Sequence, residues 1–401
     1  MKVAVMGYGT VGSGVVEVIA DNQELIAKRT GETVEVKYIL DIRDFPGDRF
    51  EDKIVHDVNL IMDDSEVGVV CEVMGGVGVA YQFTKMALER GKSVCTSNKE
   101  LVAKHGPELL QIAAANHCSY LFEASVGGGI PIIRPLNNAL TAERIEMITG
   151  ILNGTTNYIL TKMEKEGADF ADVLKEAQEK GYAERNPEAD IEGHDACRKI
   201  SILSSLMTGK TVDSEKVYTE GITKVTAADF VYAKAMGRSI KLLGMSCDQG
   251  DEVQVMVAPC MISNKNPLYM VSDVFNAILV RGNMLGDSMY YGRGAGKLPT
   301  ASAVVADVID CVKNAGKNIP CLWSAEEAKI ADPAEVERVF FLRVNAAGLD
   351  AVKAAFPDGE VIAVDGCEDT GYVTELVKEK DFAARCEALG AVVLSKIRMG
   401  E

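Results

Sequence analysis

Over the first hundred and thirty residues, short apolar runs alternate with amphipathic stretches of helical length. VAVMG (3–7), VKYIL (36–40), VGVVCEVM (67–74), SVCTS (93–97) and YLFEA (120–124) read as strands, and 10–28, 78–90 and 106–116 as helices. Near-continuous apolar strands separated by helices predict a parallel sheet covered on both faces. The first domain, 1–130, is therefore expected to be a doubly wound α/β sheet with its ligand at the carboxyl ends of the strands.

Past residue 131 the alternation loses its βαβ spacing. Strands at 144–152 and 252–262 mix with helices at 153–165, 169–180 and 193–208, which predicts an α+β domain over 131–300. A helix expected at 300–316 packs back on the first domain in this reading, and 318–337 reads as a linker. The last segment, 336–401, runs strand, helix, strand, strand, helix, strand, which is the ferredoxin-like βαββαβ order.

Composition narrows the function. The 401 residues are 47% hydrophobic and 25% charged with a net charge of −17, which argues against nucleic acid or an anionic membrane as partner. No apolar run reaches membrane-spanning length and no secretory signal is readable, so a cytoplasmic location is expected. Ten cysteines without a C-x-x-C pair read as small buried hydrophobes in a reducing compartment.

Chemistry enters at GYGTVG (7–12), a G-x-G-x-x-G between a strand and a helix. Gly7 permits the tight turn, Gly9 lets backbone approach a pyrophosphate, and Gly12 allows close helix–strand packing, with Thr10 and Val11 at the helix N-terminus. This predicts a Rossmann-type dinucleotide site. Asp41, at the end of the second strand, suits a ribose 2′-hydroxyl and NAD, whereas Arg43 suits a 2′-phosphate and NADP. TSNKE (96–100) places Thr96 and Lys99 just beyond a strand end, where Lys99 is a surface charge or a ligand for a substrate oxygen or a nicotinamide-side group. GILNGTTNYIL (150–160) supplies N-cap residue types, or a pocket for a small polar substrate. EASVGGGIP (123–131) forms a glycine turn or, with Glu123, an oxygen cage for a hard cation. In EADIEGHDACRK (188–199), Asp195 and Lys199 stand at i and i+4, either as an exposed ion pair or as a lysine aimed at a reacting oxygen. A zinc site at His194 lacks partner ligands.

GYGTVG, TSNKE, EASVGGGIPIIRPL, GILNGTTNYIL, GYAERNPEADIEGHDACRK and GRGAGKLPTA (292–301), in that order, resemble homoserine dehydrogenase along most of the chain. The resemblance implies NAD(P)-dependent interconversion of L-homoserine and L-aspartate 4-semialdehyde, in threonine and methionine biosynthesis. It implies that Lys199 is the proton donor and acceptor with Lys99 alongside, and that Asp195 binds substrate and orients Lys199. Glu184, the backbone of Gly181, and Asp190 would hold the substrate and its ammonium. Gly75, Thr96, Lys99, Gly294 and Gly296 would join the glycine loop, Asp41 and Arg43 around the cofactor. Glu123 with the carbonyls of Val126, Gly128 and Ile130 would bind a structural sodium ion. A homodimer or higher homo-oligomer, dimerising through the middle domain, and an ACT-like C-terminal unit also follow, although NAAG (345–348) replaces the usual D-x-P-G type turn. The alternatives are a dehydrogenase of another small amino or keto acid, and a sensor that kept the fold but not catalysis.

Overall fold

In the computed structural model, which describes residues 1–400, the chain opens with strand β1 (Lys2–Met6), helices α1 (Thr10–Asp21) and α2 (Gln23–Thr30), and β2 (Glu35–Leu40). There follow β3 (Ile54–Val55), α3 (Asn59–Met62), β4 (Val67–Glu72), α4 (Gly78–Glu89), β5 (Ser93–Thr96), α5 (Lys99–Ala115) and β6 (Tyr120–Leu121). The six strands pair in the order β3-β2-β1-β4-β5-β6, all in parallel. The order reverses at β1, so a crevice opens beyond the carboxyl ends of β1, β2 and β4. Two sequence expectations change. The helix expected over 10–28 breaks at Asn22, and the strand expected over 120–124 ends at Leu121, after which Glu123–Ser125 make a 3₁₀ turn.

The chain continues through β7 (Ile145–Ile151), α6 (Gly154–Glu166), α7 (Phe170–Glu179), α8 (Glu188–Ile191), α9 (His194–Thr208), β8 (Tyr218–Thr219) and α10 (Ala227–Ala235). Four long strands come next: β9 (Arg238–Asp248), β10 (Val253–Ser263), β11 (Phe275–Gly282) and β12 (Gly286–Arg293). Helix α11 (Lys297–Lys313) buries Ala301, Val304, Val305 and Val308 in one apolar cluster with Val15 and Ile19 of α1 and Val3 and Val5 of β1. Residues 318–337, expected as a linker, are partly built in. Trp323 is buried, packs on Gly106, and donates its indole N–H to Thr211 Oγ1 at 3.1 Å. The large apolar ring outweighs the polar composition of its neighbours.

The remaining elements are β13 (Glu337–Arg338), β14 (Phe340–Asn345), α12 (Leu349–Ala355), β15 (Glu360–Ile362), β16 (Asp369–Val373), β17 (Val377–Lys378), α13 (Glu379–Leu389) and β18 (Val393–Met399). Their antiparallel pairing runs β18-β14-β16-β15, and β18 also adds in parallel to β10, so one sheet runs from β12 to β15. Phe340, Phe356 and Phe382 fill the core beneath α12 and α13.

The chain divides into two compact units. Met1–Arg144, Ser201–Ser214 and Tyr290–Ala328 form one; Ile145–Ile200, Glu215–Met289 and the chain from Lys329 on form the other. Among the described residues no helix is long and apolar enough to cross a membrane.

Candidate active site

In the first unit the turn after β1 is shaped by close packing. Gly7 is left-handed with φ +99°, and its N–H donates to Leu40 O at 2.8 Å. A Cβ on Gly12 would lie 1.8 Å from Gly7 O, so only glycine lets α1 approach the turn this closely. Gly9, the N-cap of α1, has open space where a side chain would stand. Thr10 and Val11 open the helix directly after this space, and a helix N-terminus is the kind of end that can receive a phosphate.

A cavity of 550 Å³ adjoins this turn, lined by Gly7, Gly9, Asp41, Arg43, His56 and Met74 among others. Asp41 Oδ2 accepts the Tyr8 N–H at 2.8 Å, and both carboxylate oxygens accept from the Arg43 guanidinium at 3.0 and 3.1 Å. The Arg43 side chain holds the Asp41 carboxyl down to about 2, with the Tyr8 and Arg43 backbone N–H groups adding to this and burial opposing it. Asp41 and Arg43, set apart as alternatives by sequence, are thus one ion pair at the cavity's polar end. Ile42 beside them is almost fully exposed.

Thr96 and Gly75 belong to a second network of this unit that sequence reasoning missed. Glu72, wholly buried at the end of β4, accepts from Thr96 Oγ1 at 2.7 Å and from Met74 N at 2.9 Å. Burial pushes its carboxyl above the ordinary range. Asn98 then donates to Gly76 O at 2.6 Å and caps α5 through Leu101 N, which places Lys99 at the first helical position. The available signal was an acid inside an otherwise apolar strand.

Glu123 is buried, and its carboxylate accepts three backbone N–H groups, from Ile132 (2.6 Å), Ile133 (2.9 Å) and Arg134 (2.6 Å). Its own N–H donates to Asp307, which also pairs with Arg134 at 2.7 Å. Burial and the Glu123 charge push the Asp307 carboxyl upward, against the pull of Arg134. In the adjoining turn, no N–H among the described residues donates to the carbonyls of Val126, Gly128 or Ile130. Gly294 lies against Gly128 so tightly that a Cβ there would meet Gly294 O at 2.3 Å, and Gly296 caps α11.

In the second unit the decisive elements are the end of β7, the start of α6, and α9. Gly150 of β7 pairs with Gly244 of β9, and a Cβ on Gly244 would meet Ile200 of α9 at 3.1 Å. The bare backbone lets α9 lie close on the sheet. Lys199 Nζ consequently reaches Leu152 O at 2.8 Å as well as Asp195 Oδ2 at 2.7 Å. Asp195 is 3% and Lys199 9% exposed, so the exposed ion pair that the i, i+4 spacing also allowed is not what forms.

Asn153 caps α6 through Thr156 N at 2.9 Å. Its amide also donates to Asp190 Oδ1 at 2.7 Å and to Asp195 Oδ2 at 2.8 Å. Asp190, Asp195 and Lys199 are thus drawn together around a residue that sequence reasoning treated only as part of a polar cluster. Gly181 (φ +73°) and Glu184 lie exposed on the loop after α7, which Thr155 ties to the start of α6 by donating to Tyr182 O at 2.7 Å. Gly193 (φ +84°) ends the α8 turn, and Ile222 N donates to Ile191 O at 2.8 Å, which fixes the entry to α9. His194 is exposed at the helix start.

The chain matches the sequence profile of the homoserine dehydrogenase NAD-binding domain over residues 7–123 and that of homoserine dehydrogenase over residues 131–309. It is 40% identical to the homoserine dehydrogenase of Bacillus subtilis (strain 168) over 352 residues, covering 86% of this chain and 81% of the relative. It is 38% identical to that of Synechocystis sp. over 423 residues, covering 97% and 96%. Among solved structures, a homoserine dehydrogenase from Thiobacillus denitrificans superposes with a TM-score of 0.90 at 35% identity, covering 100% of this chain and 98% of that one. A hyperthermophilic archaeal homoserine dehydrogenase mutant in complex with NADPH gives 0.66 at 30% identity, covering 77% and 97%. A glycine turn built for a dinucleotide, a buried lysine–carboxylate cluster and this breadth of likeness agree: the chain belongs to the homoserine dehydrogenase family, NAD(P)-dependent oxidoreductases acting on a CH–OH group.

Proposed function

We propose that Lys199 is the proton donor and acceptor in the interconversion of L-homoserine and L-aspartate 4-semialdehyde. One observation carries this. Two of the three N–H donors of Lys199 are committed to Asp195 and Leu152 O, which leaves one for a substrate oxygen. Bound NAD(P) supplies or removes the hydride. In the reduction, Lys199 protonates the alkoxide at the substrate's fourth carbon; in the oxidation it takes the hydroxyl proton. Asp195, one turn earlier, holds the ammonium in place and contacts substrate. Asp190 and Glu184, with the backbone of Gly181, suit the substrate's own ammonium group.

On the nucleotide side, Gly7, Gly9, Thr10, Val11 and Gly12 are assigned to the pyrophosphate, and Gly75, Thr96 and Lys99 to the nicotinamide end. Gly294 and Gly296 support this side through α11. Asp41 would accept a ribose hydroxyl of NAD, and Arg43, released from Asp41, would meet the 2′-phosphate of NADP. Both nucleotides stay within the proposal, to be ranked by kcat/KM.

The turn at Glu123 suits a sodium ion: a buried carboxylate beside three carbonyls without donors is an oxygen-only set for a hard cation. Its role would be structural. The strand order of residues 336–400, fourth–first–third–second, supports a ferredoxin-like, ACT-like unit. The free thiols of all ten cysteines support a reducing cytoplasm. Exposed Met289 and Tyr291 on edge strand β12 support a homo-oligomer, which light scattering would size.

The test is turnover of the purified chain with L-homoserine and either nucleotide. Lys199→Ala is expected to lower kcat by about 10²–10⁴-fold, with nucleotide affinity by fluorescence titration unchanged. An unaltered kcat would remove Lys199 from proton transfer.

A further inference from the structure

The Asn153 side chain makes four hydrogen bonds: two from Thr156 to its Oδ1 serve its helix, and two from its amide reach beyond it. Its Oδ1 accepts the Thr156 N–H, the ordinary duty of an N-cap asparagine. Its Nδ2 spends both protons on carboxylates, at 2.7 Å to Asp190 Oδ1 and 2.8 Å to Asp195 Oδ2. The Asp195 oxygen that receives Asn153 is the same one that receives Lys199 Nζ. Asn153 is 5% exposed and Asp195 3%, so the bond between them faces little competition from water, while the bond to Asp190 lies at the half-buried edge of the cluster.

The arrangement solves a problem the cluster poses. Two acids close together repel, and the buried ammonium of Lys199 would draw either of them toward itself. If Asp190 swung onto Lys199, the acid for the substrate's ammonium and the lysine for its oxygen would neutralise each other. A neutral group with two donors holds both carboxylates without adding charge. It is anchored at its other end by the start of α6, which continues directly from β7.

We infer that Asn153 is a positioning residue for the reaction: its amide divides the two acids, keeping Asp195 on Lys199 and Asp190 turned toward substrate. The inference rests on the roles proposed for Asp190, Asp195 and Lys199. It deepens them by naming the group that sets their geometry.

Serine and aspartate separate this role from capping, because both cap helices about as well as asparagine. Asn153→Ser keeps an oxygen for Thr156 N but loses the bridging amide. Asn153→Asp keeps the shape and the cap but turns the donor into a third carboxylate. If the amide positions the acids, kcat/KM for homoserine falls by about 10-fold in Asn153→Ser and by about 10²-fold or more in Asn153→Asp, the scale set by misplacing catalytic groups. The loss should include a raised homoserine KM, while nucleotide affinity stays near wild type in both variants and Tm stays near wild type in Asn153→Ser. If Asn153 only caps α6, Asn153→Ser keeps kcat/KM and the homoserine KM of wild type, and the inference is overturned. Lys199→Ala measured beside them separates the two levels. An active Lys199→Ala sinks the underlying assignment. An inactive one, with Asn153→Asp as active as wild type, sinks only the role of Asn153.

Discussion

The glycine turn at residues 7–12 and the polar cluster at residues 153–199 both sit where a strand gives way to a helix, yet they are built by opposite means. The first works through absent side chains. Gly12 clears the path of the backbone and Gly9 leaves a space open at the start of α1, where the proposal places main-chain N–H donors against the ligand. The second works through side chains, Asn153, Asp195 and Lys199 buried and Asp190 half-buried, each charge answered by another or by an amide. A dinucleotide's phosphates need a fixed anion cradle, which backbone supplies without titrating. The proton transfer proposed for the other site calls for groups that can gain and lose one.

Removing Asp195 should give the largest effect, because it touches both stability and chemistry. Asp195→Ala leaves the Lys199 ammonium buried without its carboxylate, a change expected to cost about 3–5 kcal/mol. Urea unfolding should show the loss, and kcat should fall with it. Asp195→Asn keeps the shape and a weaker partner, so it should recover much of the stability while kcat stays low. Equal stability of the two variants would mean that the lost charge, and not the shape and hydrogen bond that asparagine keeps, sets the cost.

The glycine turn should respond differently at its two ends. Gly12→Ala forces a methyl group into Gly7 O and should destabilise by about 1–3 kcal/mol, the usual range for overpacking. Gly9→Ala meets nothing within 4 Å, so Tm should hold. Its methyl group would stand in the open space beside the N-terminus of α1, and nucleotide affinity should fall. If Gly9→Ala binds nucleotide as well as wild type, the assignment of that space to the pyrophosphate is wrong.

Glu123 combines the two modes, a buried carboxylate satisfied by backbone. Glu123→Gln turns one acceptor into a donor facing N–H groups and should cost about 1–3 kcal/mol for the unmet bonds. Exchanging sodium for a bulky organic cation should lower the Tm of wild type and leave Glu123→Gln unmoved.

These differences also explain what could be read from sequence. The parallel sheet was legible because its strands are apolar on both faces and carry helices between them. The two-residue strand β3 and the one-turn helix α3 leave no periodic trace. Strand β9 was missed because RSIKLLGMSCD is apolar without alternation, being buried on both faces of the large sheet. In the site, the spacing of Asp195 and Lys199 was visible but their burial was not, since it depends on Gly244, distant in sequence, letting α9 settle onto the sheet. Asn153 was hidden by its own second duty, because a capping asparagine at a strand–helix corner needs no further explanation. Glu72 could have been noticed as an acid among apolar neighbours, but nothing local names Thr96 as its partner.

The smallest expected effect lies at the Asp41–Arg43 ion pair beside the glycine turn. Asp41 has its carboxyl held near 2 chiefly by Arg43, against about 3.9 for an unfolded chain. A depressed carboxyl stabilises the fold above its unfolded value, and that contribution disappears as pH falls from about 4 toward 2. Arg43→Ala should therefore move the acid unfolding midpoint of the first unit to higher pH and leave stability at pH 7 only slightly lower. Because the Arg43 side chain is more than half exposed, salt screens the pair, and the difference between variant and wild type should shrink as salt is raised. The same variant should lose affinity for NADPH more than for NADH, since it removes the cation while leaving Asp41 unpaired and repelling a 2′-phosphate. Equal losses for the two nucleotides would mean that the pair fixes the loop and does not choose the cofactor.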